Sequence, residues 1–111
     1  MYDFPHKERL MISVLASIEI EEGQRAAFLE IFNANVPSVR KENGCLEYYP
    51  AIDIDSGFSV QRLDANMVTV IEKWQSLDAL RAHLATPHML HYKEQVKTLV
   101  KDISLKVLQV A

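Results

Sequence analysis

Apolar and polar positions alternate over two stretches of the chain. In LMISVLASIEI, residues 10–20, Ile12, Val14, Ala16 and Ile18 fall on one side and Met11, Ser13, Leu15 and Ser17 on the other. In MVTVIEKW, residues 67–74, Val68, Val70, Glu72 and Trp74 oppose Met67, Thr69, Ile71 and Lys73. A period of two belongs to a strand, whose successive side chains point to opposite faces. CLEYYPAIDI, residues 45–54, predicts another strand, and ISLKVLQV, residues 103–110, predicts the last one.

Between these stretches the period lengthens. Over residues 24–43, Phe28, Ile31, Phe32, Asn35 and Val39 lie on or near one helical stripe. Pro37 within it predicts a kink or a break, because proline has no N–H for the carbonyl one turn back. Gly44 suits the left-handed residue that ends a helix. Ser76 predicts an N-cap for a helix with Leu77, Leu80, His83 and Leu84 on one side. Thr86 and Pro87 predict a second start, as N-cap and first helical residue. The stripe that follows is Met89, Tyr92, Val96, Leu99 and Val100. Residues 21–23, 55–57 and 64–66 read as turns, with FSVQR resuming strand pairing between the last two.

The order β-α-β-β-α-β predicts an α+β, ferredoxin-like fold with one antiparallel sheet. Residues 1–9 read as an N-terminal extension and residues 10–111 as a single domain. The first and third strands are apolar on both faces, yet two helices cover only one. A partner sheet is the economical cover for the other, so a homodimer packed sheet to sheet is expected.

Composition narrows the function classes. A formal net charge of −3 over 111 residues gives no electrostatic reason to bind nucleic acid or an anionic membrane. No apolar run approaches the length of a bilayer span, so no membrane insertion is expected. MYDFPHKERL carries charges where a signal peptide needs an apolar core. Cys45 is the only cysteine, which excludes an internal disulfide and fits a reducing, cytoplasmic setting. Three glycines and no G-x-G-x-x-G or G-x-S-x-G argue against a nucleotide cradle or a serine hydrolase.

The candidate chemistry concentrates in WQSLDALRAHLATPHMLHY, residues 74–92. His83 lies on the inward side of its helix. It reads either as a histidine bonded to a backbone carbonyl or as a base at the edge of an apolar pocket, since imidazole takes a proton near pH 7 without large tuning. Glu72 shares a strand face with Val70 and Trp74. If covered, it needs a partner, and the His83 imidazole or an arginine would serve. Trp74, Tyr48 and Tyr49 are core aromatics or the wall of a site for a flat ligand. His88 and His91, three apart, permit zinc but form only a pair, so solvated histidines are expected and no metal. Cys45 reads as a structural thiol, with no nearby base to activate it.

KENGCLEYY followed by VIEKWQSLDALRAHLATPHM resembles the antibiotic biosynthesis monooxygenase family of dimeric α+β barrels, in particular its bacterial quinol monooxygenases. The likeness runs over residues 10–110. It is carried by Gly44-Cys45 with Tyr48, Glu72 with Trp74, then Leu80, His83, Leu84, Thr86-Pro87-His88-Met89 and Tyr92. It implies a pocket between sheet and helices in which O₂ oxidises a quinol or phenol without flavin, haem or metal. Carried over by position, it implies His83 as base or proton shuttle with Glu72 orienting it. Tyr48, Trp74, His88 and Tyr92 would line the substrate, and Val14 and Ala16 would form an apolar wall. The positions that a haem-degrading branch fills with asparagine, tryptophan and histidine hold Ala16, His83 and Lys93, so haem degradation is not expected. Two other readings stay open: an isomerase of a small phosphorylated sugar-like substrate, and a non-catalytic quinone-binding stress-response dimer. The isomerase needs a phosphate site, for which Arg62, Lys73 and Arg81 are scattered candidates.

Overall fold

The computed structural model describes residues 6–111. Residues 1–5 of the expected extension lie outside the described residues. His6–Leu10 form one short helical turn, α1, ahead of strand β1, Ile12–Ile20. The remaining elements are α2 (Arg25–Arg40), β2 (Cys45–Ala51), β3 (Met67–Trp74), α3 (Leu77–Leu84), α4 (Pro87–Val96) and β4 (Val100–Gln109). The four strands form one antiparallel sheet in the order β2-β3-β1-β4, the ferredoxin-like arrangement.

The alternation in β1 and β3 fixes which face is buried. Ile12, Val14, Ala16, Ile18 and Ile20 point inward from β1, and Val68, Val70, Glu72 and Trp74 from β3. Their register places Val14 opposite Glu72 and Ala16 opposite Val70. Helix α2 meets this face with Phe28, Phe32, Val36 and Val39. Full burial of such a side chain contributes about 1.5–3 kcal/mol, which is what anchors the helix to the sheet. The helix is not broken at Pro37 and continues to Arg40. It ends earlier than its pattern predicted, and Gly44 stands three residues beyond the cap residue Lys41 rather than next to it. Gly44 is still obligatory there. Its φ is +86°, and a Cβ would lie 2.6 Å from the Cβ of Ala79.

The two caps form as their sequences predict. Ser76 Oγ accepts from the Ala79 amide at 3.1 Å and Thr86 Oγ1 from the Met89 amide at 3.3 Å, with Pro87 opening α4. Leu80 is buried, whereas Leu77 and Leu84 are partly exposed. The apolar stripe of α4 stops at Val96. Leu99 and Val100 belong to a turn and to the start of β4, where Val100 pairs with Ile20 and the register shifts by one residue. FSVQR does not resume pairing. Residues 52–66 form a loop held by side chains, with Asp55 Oδ1 accepting from the Gly57 amide at 3.0 Å and Asp53 Oδ2 from the Asp64 amide at 2.8 Å.

The far face of the sheet stays open. Leu15, Leu46, Tyr49 and Leu108 are exposed at 37–43%. The molecule measures 44 × 41 × 20 Å, with a radius of gyration of 15.2 Å. A chain of this length packed as a sphere has about 13 Å. The excess reflects a slab two layers thick, one of sheet and one of helices.

Candidate active site

Two hollows stand out among the described residues. The larger, about 690 Å³, lies on the uncovered sheet face between Glu8, Ser13, Lys73 and Leu108. The smaller, about 440 Å³, lies between sheet and helices and holds the acid–base groups. Its walls are apolar: Ala16 and Ile18 from β1, Val70 from β3, Phe32 from α2, and Met89 and Val96 from α4. Half-exposed Ile103 and Leu105 of β4 flank its opening. Five of the sequence-derived candidates line it, namely Ala16, Tyr48, Glu72, His83 and Tyr92. Val14, Trp74 and His88 do not. Val14 is buried in the core, and Trp74 lies fully buried behind His83 with ring centroids 4.6 Å apart.

The expected Glu72–His83 pair is not formed. His83 Nδ1 lies 2.9 and 3.0 Å from the two carboxylate oxygens of Glu42. A carboxylate only accepts, so this geometry assigns the proton to Nδ1 and leaves the Nε2 lone pair free. Nε2 has no hydrogen-bond partner among the described residues, and His83 lines the cavity. The ring is only 2% exposed. Burial lowers its pKa, and the bond to Glu42 offsets part of that effect. The result is a neutral imidazole at neutral pH. Thr86 Oγ1 donates to the His83 carbonyl at 2.9 Å, so the cap of α4 also fixes the His83 backbone.

Glu42 also receives His88, whose Nε2 lies 2.6 Å from Oε2. His88, expected to line the substrate, does not line this cavity and instead contacts Glu42. His91 is exposed. The sequence reading missed Glu42 because the turn after α2 has no periodicity, and its partner stands 41 residues further along the chain. The available signal was a carboxylate directly before Gly44-Cys45.

Glu72 has a different partner. Its Oε1 accepts from Trp74 Nε1 at 3.0 Å. Burial pushes its pKa up to about 7, against the lowering effect of the indole N–H, and the Glu42 charge raises it further. It is a carboxyl that titrates near neutrality inside an apolar cavity. Tyr48 stacks on Phe32 at 5.4 Å and meets the His83 ring edge-on at the same distance. Burial raises the pKa of Tyr48 and Tyr92, which keeps both phenols protonated. Cys45 is half-buried, and burial together with the charges of Glu42 and Glu72 pushes its thiol up. Arg81 pairs with Asp78 on the surface and does not reach this cavity.

The cavity therefore offers a neutral imidazole held by a carboxylate, a carboxyl poised near pH 7, and apolar walls suited to a ring. A family model described as antibiotic biosynthesis monooxygenase matches residues 11–95. The chain is 42% identical over 101 residues to an Escherichia coli K12 protein named "Probable quinol monooxygenase YgiN", covering 89% of this chain and 97% of that one. Among solved structures, PA3566 from Pseudomonas aeruginosa superposes with a TM-score of 0.78 at 25% identity, covering 94% of this chain and 97% of that one. Protein SO0527 from Shewanella oneidensis gives 0.78 at 25% identity, with 92% of each chain covered.

Proposed function

The chain belongs to the antibiotic biosynthesis monooxygenase family, and on that premise we propose that it oxidises a quinol or related phenol with O₂, without flavin, haem or metal. The observation that carries this reading is the orientation of His83. Its Nδ1 is held by Glu42 while its Nε2 is left to an apolar cavity of about 440 Å³. A quinol hydroxyl resembles a phenol, with a pKa of about 10, and an apolar site makes its anion harder to form. Deprotonation therefore needs a positioned base and a donor for the oxyanion.

In this reading His83 Nε2 takes the hydroxyl proton, and Glu42 stabilises the imidazolium that results. Protonated Glu72 donates to the quinolate oxygen, with Trp74 holding its other oxygen. The quinolate passes one electron to O₂, and the radical pair combines at a ring carbon. Loss of water from the hydroperoxide leaves a hydroxylated quinone, one atom of O₂ on a ring carbon and the other in water. Tyr48 and Tyr92 bound the ring. Trp74 and Val14 act from behind the wall, and His88 acts through Glu42. The open sheet face supports a homodimer, and the single free cysteine supports a cytoplasmic setting. Residues 10–111 form the catalytic domain in this reading.

The test is oxygen uptake by metal-free protein on adding a reduced naphthoquinone, corrected for autoxidation. Saturable uptake that drops by about 100-fold or more in His83→Ala is expected for a general base. Uptake equal in both proteins removes His83 from the mechanism.

A further inference from the structure

Resting on the quinol reading, we propose that the cavity takes an aromatic diol bearing an anionic substituent, and that Lys93 at the mouth recognises that charge. The apolar walls and the two acid–base groups suffice for a neutral ring. They leave Lys93 unexplained. Lys93 and Lys97 stand one helical turn apart on α4, both on the cavity lining and both solvent-exposed, whereas His83 and Glu72 are buried below. Lys97 is neutralised by Glu94 at 2.6 Å. Lys93 makes no ion pair among the described residues.

The position also has a catalytic cost. The Lys93 charge acts on His83 and disfavours the imidazolium that proton abstraction creates. A ligand anion seated on Lys93 cancels that cost when the base is needed. A neutral ring leaves it in place. The volume of about 440 Å³ is in the range that holds a substituted, drug-sized molecule. The anion belongs at the outer end of the ring system, with the reacting hydroxyl at the buried end beside His83.

Binding and turnover separate this proposal from the reading it rests on. The probes are 1,4-naphthoquinone, its 6-carboxylate and its 6-sulfonate. Their dissociation constants are measured by quenching of Trp74, the only tryptophan, and their reduced forms by oxygen uptake. A half-exposed charge pair is expected to favour an anionic probe by about 5-fold at low salt, a preference that fades as salt screens it. Lys93→Met brings the ratio to near one, Lys93→Glu inverts it, and Lys93→Arg retains it. Similar preference for the carboxylate and the sulfonate over the neutral probe also supports the proposal, since each carries one negative charge. Equal affinity for neutral and charged probes in the wild type overturns it, as does a ratio unaltered in Lys93→Met. Absence of oxygen uptake with every reduced probe defeats the oxidation reading instead, and the binding ratio still decides the role of Lys93.

Discussion

Glu42 and Glu72 are the same chemical group in different surroundings, and each surrounding sets a separate task. Glu42 is gripped by two imidazoles, and in the proposed reaction it acts through His83. Glu42→Gln keeps the shape but replaces the carboxylate with an amide, whose NH₂ can face Nδ1 and favour the wrong tautomer. A fall in kcat of about 10- to 100-fold is expected, with KM little changed. Equal kcat in the two proteins would detach Glu42 from the base. Glu72, with its pKa raised to about 7, can donate a hydrogen bond only below that value. With His83 as the proposed base and therefore neutral, kcat/KM should rise through a limb below the ordinary imidazole value of about 6.5 and fall near pH 7. Glu72→Gln keeps a donor and should abolish the falling limb, as a pH profile will register. The same carboxyl links stability to pH. Its folded value of about 7 exceeds the ordinary 4.5, so the native state holds the proton more tightly. Its contribution is fully present below 4.5 and is lost as pH rises through 7. That loss amounts to about 3 kcal/mol. His83, lowered by burial, works in the opposite sense below the imidazole value. Denaturant unfolding at pH 5 and pH 8 should show wild type losing more stability on alkalisation than Glu72→Gln.

At the scale of elements, the site depends on where α3 and β2 begin. Gly44 opens β2 with its backbone against Ala79 of α3. Gly44→Ala combines a left-handed alanine, at about 1–2 kcal/mol, with overpacking of about 1–3 kcal/mol. A loss of roughly 2–4 kcal/mol is expected from denaturant midpoints. A loss below about 1 kcal/mol would mean that α3 shifts freely. How much of this was legible followed the range of each interaction. The strand faces of β1 and β3 were readable because alternation repeats locally. Ser76 and Thr86-Pro87 were readable because a cap is made within three residues. Leu99 and Val100 misled because their spacing continues a helical stripe, while pairing with Ile20 on a distant strand decides their state. Glu42 was invisible for the same reason: nothing near it in the chain names His83 or His88. The sequence suggested Glu72 as the partner of His83 because both face inward, but facing inward does not establish contact.

The whole molecule is a sheet covered by helices on one face. A slab 20 Å thick exposes Leu15, Leu46, Tyr49 and Leu108 on the face away from the helices. Patches of this kind mark interfaces. Sedimentation equilibrium should give twice the monomer mass, and Leu15→Lys should shift the protein to monomer by placing a charge on that face. A wild-type monomer at micromolar concentration would refute the pairing.

Cys45 has a bearing on chemical wear. Peroxide attacks the thiolate rather than the thiol. Burial and the neighbouring carboxylates hold this sulfur in its acid form. Any peroxide that reaches Cys45 thus meets a slow target. Iodoacetamide should label native Cys45 far more slowly than the unfolded chain. A thiol held this way resists the first step of oxidative ageing.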